Sequence, residues 1–422
     1  MVIYMAALFV VGYAGIALEH NIKINKSATA LLTGVGLWVI YIVSTPNKPE
    51  VLTNLTEYLG ETSSVLFFIL AAMTIVELID AHDGFDIIVR RITIRRKVAL
   101  LWVTGGITFI LSAIIDNLTT TIVMITLLRK LIFDKQERLL FVGAVIVAAN
   151  AGGAWSPIGD VTTTMLWIGD RISSVNAIRS LFLPSLLCTV VPLLFISFRL
   201  KGDAGGNEAE PAEPKVSVHR SHQLLVFSIG IFVFLMIPVF KAVTGLPPMM
   251  GVLAGLGILW IVIEIIHINR EEEHKKFFSV VQALRNIDAS SILFFLGILL
   301  SVDALQSTGI LAGIAQWLDG AIGNHNIIVA IIGLASSIID NVPLVAATMG
   351  MYPLELFPKD NALWELIAYA AGTGGSVLVI GSAAGIAAMG LETVGFTWYL
   401  KNISLWALLG FAVGFVAYII AH

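Results

Sequence analysis

Apolar runs of roughly 20 residues, the length that crosses a bilayer, recur along the whole chain with short polar breaks between them. They fall at about 1–19, 28–44, 63–79, 98–115 leading into 118–132, 139–169 and 181–198. After a gap they resume at about 223–240, 248–267, 290–306, 326–352, 361–390 and 403–421. The gap, residues 199–222 (RLKGDAGGNEAEPAEPKVSVHRSH), is rich in Gly, Glu, Pro and Lys and reads as a solvated flexible linker. The pattern predicts an all-α polytopic membrane protein in two halves, residues 1–199 and 223–422, joined by a cytoplasmic linker at 200–222.

Polar clusters interrupt some of these runs at depth. Ser112-Ala-Ile-Ile-Asp116-Asn117-Leu-Thr119-Thr-Thr121 returns as Ser336-Ser-Ile-Ile-Asp340-Asn341-Val-Pro343, 224 positions later. An aspartate at the centre of a span costs about 2.5–3.5 kcal/mol on insertion scales, so it is kept for a function with a partner. Asp-Asn after a small and β-branched lead-in, followed by a Thr run or a Pro, reads as the tip of a re-entrant hairpin. The second interruption, Asn150-Ala-Gly152-Gly153-Ala-Trp-Ser156-Pro157-Ile-Gly159-Asp160-Val-Thr162-Thr163-Thr164, has too much Gly and Pro for a continuous helix. Its counterpart 222 positions later, Gly372-Thr373-Gly374-Gly375-Ser376 through Gly381-Ser382, keeps the glycines and hydroxyls and lacks the acid. Gly36-Leu-Trp38 against Gly257-Ile-Leu-Trp260, and Phe67-Phe68 with Glu77 against Phe294-Phe295 with Asp303, extend the match. The second half is read as a copy of the first.

The basic residues orient the copies. If the Asp116 segment dips in and returns, the stretch before it (Arg90, Arg91, Arg95, Arg96, Lys97) and the one after it (Arg129, Lys130, Lys135, Arg138) share one side, the cytoplasm by the positive-inside rule. Counting outward leaves only Lys48, Arg171, Arg179, Lys241 and Lys359 on the other side. The first half then crosses an odd number of times and the second enters inverted, with its Asp340 hairpin opening outward beside segment 307–325, which carries no Lys or Arg. The expected fold is an inverted-topology repeat with two re-entrant hairpins and two broken helices, both termini extracytoplasmic. Residues 1–18 lack a charged leader and a cleavage motif and are expected to be a retained span.

Composition adds exclusions. The chain has 422 residues, 57% hydrophobic and 13% charged, with mean hydropathy +0.91. Its formal charge of -4 says little, because the placement of Lys and Arg matters more than their sum; no nucleic-acid partner is suggested, and its single cysteine, Cys188, excludes an internal disulfide and fits packing.

Two hairpin tips and two broken helices meeting near the midplane bring together Asp116, Asn117, Thr119, Asn150, Asp160, Thr162, Thr163, Ser336, Asp340, Asn341 and Ser376. The set is rich in oxygen and has no cationic side chain, which suits a hard cation. Asp116, Asn117 and Asp160 are the expected ligands. All eight histidines (His20, His82, His219, His222, His267, His274, His325, His422) fall at span ends or in loops, so a proton carrier inside the membrane has to be a carboxylate. Cation and proton then compete for the same oxygens, and competition becomes antiport if only loaded forms cross. Asp340 is read as a third acid, for transport or structure. Glu77 and Asp303, at equivalent places near span ends, fit capping and proton access equally. Asp80, Asp83 and Asp86 fit an interfacial helix, and Glu264 snorkels.

The pairing of SAIIDNLTTT with SSIIDNVPL, and of NAGGAWSPIGDVTTT with GTGGS, resembles the NhaD family of sodium/proton antiporters in the wider ion transporter superfamily. Dicarboxylate carriers of that superfamily typically have Ser-Asn-Thr at the tips, where Asp116-Asn117 and Asp340-Asn341 stand here. The resemblance covers nearly the whole chain. It implies exchange of sodium or lithium for protons and a homodimer whose scaffold holds the interface while a transport part moves in an elevator-like way. Roles for Asp116, Asn117, Asn150, Asp160, Thr162, Thr163, Asp340, Asn341 and Ser336 are implied by position. No cofactor is expected beyond the transported ions, and the expected place is a bacterial-type cytoplasmic membrane. The alternative on the same fold is a dicarboxylate or arsenite carrier; a passive channel stays open. An intramembrane aspartyl protease, the one enzyme class considered, fits poorly, because Pro157 and Ile115 stand where its motifs need Gly and Tyr.

Overall fold

The computed structural model describes residues 1–17, 19–89, 92, 94–204, 219–268 and 272–422. The linker's 205–218, Arg90 and Arg91 of the basic stretch, Leu18 and residues 269–271 lie outside the described residues.

Every long apolar run becomes helix. The first half contains α1 (Val2–Ala17), α2 (Glu19–Ile22), α3 (Lys26–Ser44), α4 (Lys48–Ala81), α5 (Asp86–Val89), α6 (Lys97–Ser112), α7 (Asn117–Leu131), α8 (Lys135–Ala154), α9 (Val161–Ile168) and α10 (Ser174–Ser197). The second contains α11 (Arg220–Thr244), α12 (Pro248–His267), α13 (Glu272–Phe277), α14 (Val280–Asn286), α15 (Ala289–Ser307), α16 (Ile310–Ile322), α17 (His325–Ala335), α18 (Asn341–Met351), α19 (Ala362–Gly374), α20 (Ala383–Glu392), α21 (Phe396–Tyr399) and α22 (Leu405–Ala421). There is no strand among the described residues, only an isolated bridge between Arg96 and Asp203. Among the described residues, eight helical segments are long and apolar enough to cross a membrane, and the protein is a multi-pass membrane protein.

Two departures from the apolar pattern have local causes. Helix α4 starts at Lys48, well before the apolar run at 63, because Pro49 sits in its first turn and the Asn47 amide donates to Glu50 (2.8 Å). Its 34 residues span about 51 Å, longer than the ~30 Å hydrocarbon layer. Segment 307–325 forms α16, which meets α17 at 116° across Gly323, a left-handed residue (φ 67°).

The helices pack as two groups. Helices α1, α3, α4, α11, α12 and α15 form one. Within it α3 and α15 touch backbone to backbone: a Cβ on Gly297 would fall 2.4 Å from the Ala30 carbonyl carbon, so the residue has to be glycine. Helices α6–α10, α17, α19, α20 and α22 form the other group, and α9 and α18 pack against the first through α4 and α15.

The ends of the molecule are chemically distinct. At one, Lys97 at the start of α6 pairs with Glu137 at the start of α8 (2.7 Å), and Arg129 and Arg138 converge on Glu392, whose side chain is 2% exposed. The chain from α6 through α7 therefore leaves and returns at the same end. At the other end, His325 at the start of α17 stacks edge-on with Tyr352 after α18, and Asp170 binds Lys359 (2.8 Å) and Lys241 (3.2 Å). The Lys359 hydrogen bond, with Lys241 beside it, holds the Asp170 carboxyl below the usual carboxylate range.

Candidate functional site

Both Asp-Asn pairs begin a helix. Asp116 caps α7: one carboxylate oxygen accepts the Thr119 N–H (2.8 Å) and the other its hydroxyl (2.8 Å). Its backbone lies at φ 122°, ψ 158°, a region almost reserved for glycine and worth about 1–3 kcal/mol of strain. Asp340 caps α18 without strain (φ -50°), accepting from the Val342 N–H (3.3 Å).

The broken helices lie against these starts. Helix α8 stops at Ala154 and α9 resumes at Val161; α19 stops at Gly374 and α20 resumes at Ala383. A Cβ on Gly152 would fall 2.3 Å from the Phe109 carbonyl oxygen of α6, and one on Gly374 2.0 Å from the Gly333 oxygen of α17. Only glycine permits that approach. It lets Ser112 donate to the Ala149 carbonyl (2.5 Å) and Ser336 to the Ala371 carbonyl (2.8 Å), one device used in both halves.

A buried polar cluster forms where these pieces meet. Asn150, fully buried, donates to Ser376 (2.9 Å) and Ser382 (2.8 Å) and accepts from the Asn117 amide (3.1 Å). Asp160, 3% exposed, accepts the Thr162 hydroxyl (2.6 Å) and two longer contacts, from Asn117 (3.4 Å) and Asn341 (3.4 Å). The two asparagines come from opposite halves of the chain, so Asp160 sits between them. Asp116 and Asp340 each lie within electrostatic reach of a second carboxylate, Asp160 in both cases.

Of the residues the sequence singles out, Asn117, Asn150, Asp160, Thr162, Asn341 and Ser376 join this network directly. Asp116 and Thr119 pair with each other beside it. The Thr163 hydroxyl is used on the Ala154 carbonyl (3.2 Å) and that of Ser336 on Ala371, so both brace the backbone. Asp340 turns away to Lys26 of α3 (3.3 Å), so the expectation of a site without a cationic side chain is corrected at its edge. The sequence reading named Ser382 in the second break but left it out of the site, and it missed Tyr399. Ser382 stands 222 positions after Asp160, and its N-cap place in the second break was the available signal. The Tyr399 hydroxyl donates to the Ser376 carbonyl (2.7 Å), with no sequence signal.

Two cavities lie where the helix groups meet. One, about 650 Å³, is lined by Lys23, Lys26, Asp288 and Ser290 and reaches Leu118 and Ala383, at the starts of α7 and α20. The other, about 400 Å³, is lined by Glu61, Asp303 and Arg171 and reaches Met165 on α9. Asp303 accepts the Thr62 hydroxyl there (3.4 Å), whereas Glu77 accepts the Asn286 amide (2.8 Å) at an exposed position.

Interrupted helices meeting at a buried carboxylate and amide cluster define a membrane transporter of the broken-helix kind. The chain matches the citrate transporter family over residues 13–364. It is 51% identical to sodium/proton antiporter 1 of Arabidopsis thaliana over 99% of its own length and 72% of that protein. With sodium/proton antiporter 2 of the same plant it shares 48% over 99% of both chains. With the Na(+)/H(+) antiporter NhaD of Vibrio cholerae it shares 30%, over 98% of this chain and 91% of that one. The chain belongs to the NhaD family of sodium/proton antiporters.

Proposed function

We propose that this protein exchanges sodium, or lithium, for protons across its membrane, the two competing for Asp116 and Asp160. The observation that carries the reading is Asp160 itself: a carboxylate 3% exposed, held by one threonine and two long amide contacts, with no basic side chain among the described residues against it. An acid so placed is neutralised by taking a proton or a cation. Oxygen atoms of Asp116, Asp160, Asn117 and Thr162 supply the ligands a hard cation takes, and Asn150 fixes Asn117 toward them.

The same chemistry weighs against a dicarboxylate or arsenite as cargo. An anion would meet the buried carboxylate of Asp160 and the part-buried one of Asp116, and the Lys26 ammonium is already on Asp340. Positive potential would have to come from the N-termini of α7, α9, α18 and α20, of which α7, α9 and α18 are capped by acids.

Alternating access would use the two-group packing. The group bearing the broken helices would slide, elevator-like, along α3, α4 and α15, opening the cluster by turns to the two cavities. Two re-entrant arms in inverted halves are supported by α6–α7 beginning and ending at the Lys97–Glu137 end while α17–α18 begin and end at the Asp170 end. The first helix group would hold a homodimer interface, which cross-linking in native membranes tests.

In proteoliposomes with an imposed pH gradient, added sodium should dissipate the gradient, and Asp116→Asn or Asp160→Asn should abolish the response. A full response in both variants would sink the site assignment; a signal driven by citrate or arsenite and not by sodium alone would favour the anion carrier.

A further inference from the structure

Asp340 is the one acid of the Asp-Asn pairs that meets a basic side chain, and that side chain comes from the other helix group. Lys26 Nζ lies 3.3 Å from Asp340 Oδ2 and 4.4 Å from the centre of the Phe294 ring of α15. Both members of the pair are partly buried, with side chains 24% and 23% exposed. Lys26 is held in place: its own N–H donates to Glu19 (3.1 Å), and its neighbour Ser27 donates to the Ser290 carbonyl at the start of α15 (2.7 Å). Tyr13 of α1 brings a buried hydroxyl that has no hydrogen-bond partner and lies within electrostatic reach of Asp340. Tyr13, Lys26 and Phe294 thus form a wall of the first helix group against the α18 cap.

Lys26 also lines the 650 Å³ cavity that reaches the α7 and α20 starts. Asp340 is followed by Asn341, whose amide touches Asp160. Lys26 thus faces this cavity, while its partner Asp340 stands next in the chain to the asparagine that touches Asp160, a group assigned to cation and proton binding.

We propose that the Lys26 ammonium is a resident counter-cation of the exchange site, neutralising Asp340 in this conformation and competing there with the transported cation. This rests on the exchange reading. The pair joins the two helix groups, so relative movement of the groups has to break it; the pair favours the conformation in which this cavity is next to the cluster. The position that matches Lys26 in the second half, by the 221-residue offset of Gly36 and Gly257, is Pro247, which lines the opposite cavity and has no charge. The opposite cavity has Arg171 as its basic lining residue, so the lysine competitor has no second copy there.

The test is reconstituted exchange and sodium-dependent thermal stabilisation, measured for wild type, Lys26→Gln, Lys26→Arg, Asp340→Asn and the double variant Lys26→Gln/Asp340→Asn. Loss of a competing ammonium from a partly buried pair should lower the half-saturating sodium concentration roughly three- to tenfold in Lys26→Gln, leave Lys26→Arg near wild type, and change nothing further once Asp340 is Asn. Lys26→Met, which keeps the stem on the Phe294 ring, is the variant to read if the Gln protein does not fold. An unchanged or raised half-saturating sodium concentration in the folded Lys26 variants overturns the proposal while the exchange reading stands. A wild type with no sodium-dependent proton movement overturns both.

Discussion

Asn150 is the joint on which the polar cluster depends, and its replacement by leucine puts a number on that dependence. The side chain makes three hydrogen bonds, to Ser376, Ser382 and Asn117, all at 3.1 Å or less and all buried. Hydrogen bonds between membrane helices average about 0.6 kcal/mol and reach about 1.7, so losing three costs about 2 to 5 kcal/mol. Leucine nearly conserves volume, which keeps a cavity from inflating the figure. The Asn117 amide is left with its 3.4 Å contact to Asp160, which adds to the loss. Unfolding in detergent micelles measures the total, and a double-mutant cycle with Ser382→Ala isolates one bond, expected at about 0.6–1.7 kcal/mol. A total loss under about 0.5 kcal/mol, or no coupling to Ser382, would refute the argument that Asn150 ties the two breaks together.

Three further outcomes follow from the geometry. Gly374→Ala puts a Cβ 2.0 Å from the Gly333 carbonyl oxygen, so it should abolish recovery of folded protein, whereas Gly257→Ala, with open space around its Cβ, should be neutral; size-exclusion profiles separate them. Glu392→Ala leaves Arg129 and Arg138 without their carboxylate and should destabilise by about 3 kcal/mol, read in the same unfolding assay. Asp170→Asn should cost under about 1 kcal/mol at neutral pH, because its ion pairs are exposed. A carboxyl held below its usual value stabilises the fold above that value and loses the contribution as pH falls, so the difference from wild type should shrink below about pH 4.

What was legible in the sequence was what hydrophobic length and local breakers encode. The spans, the Asp116 and Asp340 helix starts and the glycine breaks at 152–153 and 374–375 were all visible, because each depends on neighbours in the chain. The polar first turns of α4 were hidden, since helix there is set by Pro49 and the Asn47–Glu50 side-chain bond rather than by apolar period. Contacts between distant residues were not legible either. Lys26 and Asp340 are 314 residues apart, and Glu392 meets Arg129 263 residues away. Charge pattern placed Lys26 with the other basic residues of its side and said nothing of a partner. Glu77 and Asp303 looked equivalent by offset and differ in setting, one on the surface and one against a cavity, because the helices packed around them differ.

The central claim is that sodium and protons compete for a carboxylate held between the two halves of the chain. Sodium-driven proton flux in proteoliposomes, compared between wild type and Asp160→Asn across external pH, tests it most directly. The account predicts that wild type needs more sodium for half-maximal flux as pH falls, and that Asp160→Asn carries no sodium-dependent proton flux at any pH. Flux in Asp160→Asn at the wild-type rate, or a half-saturating sodium concentration indifferent to pH, would contradict it.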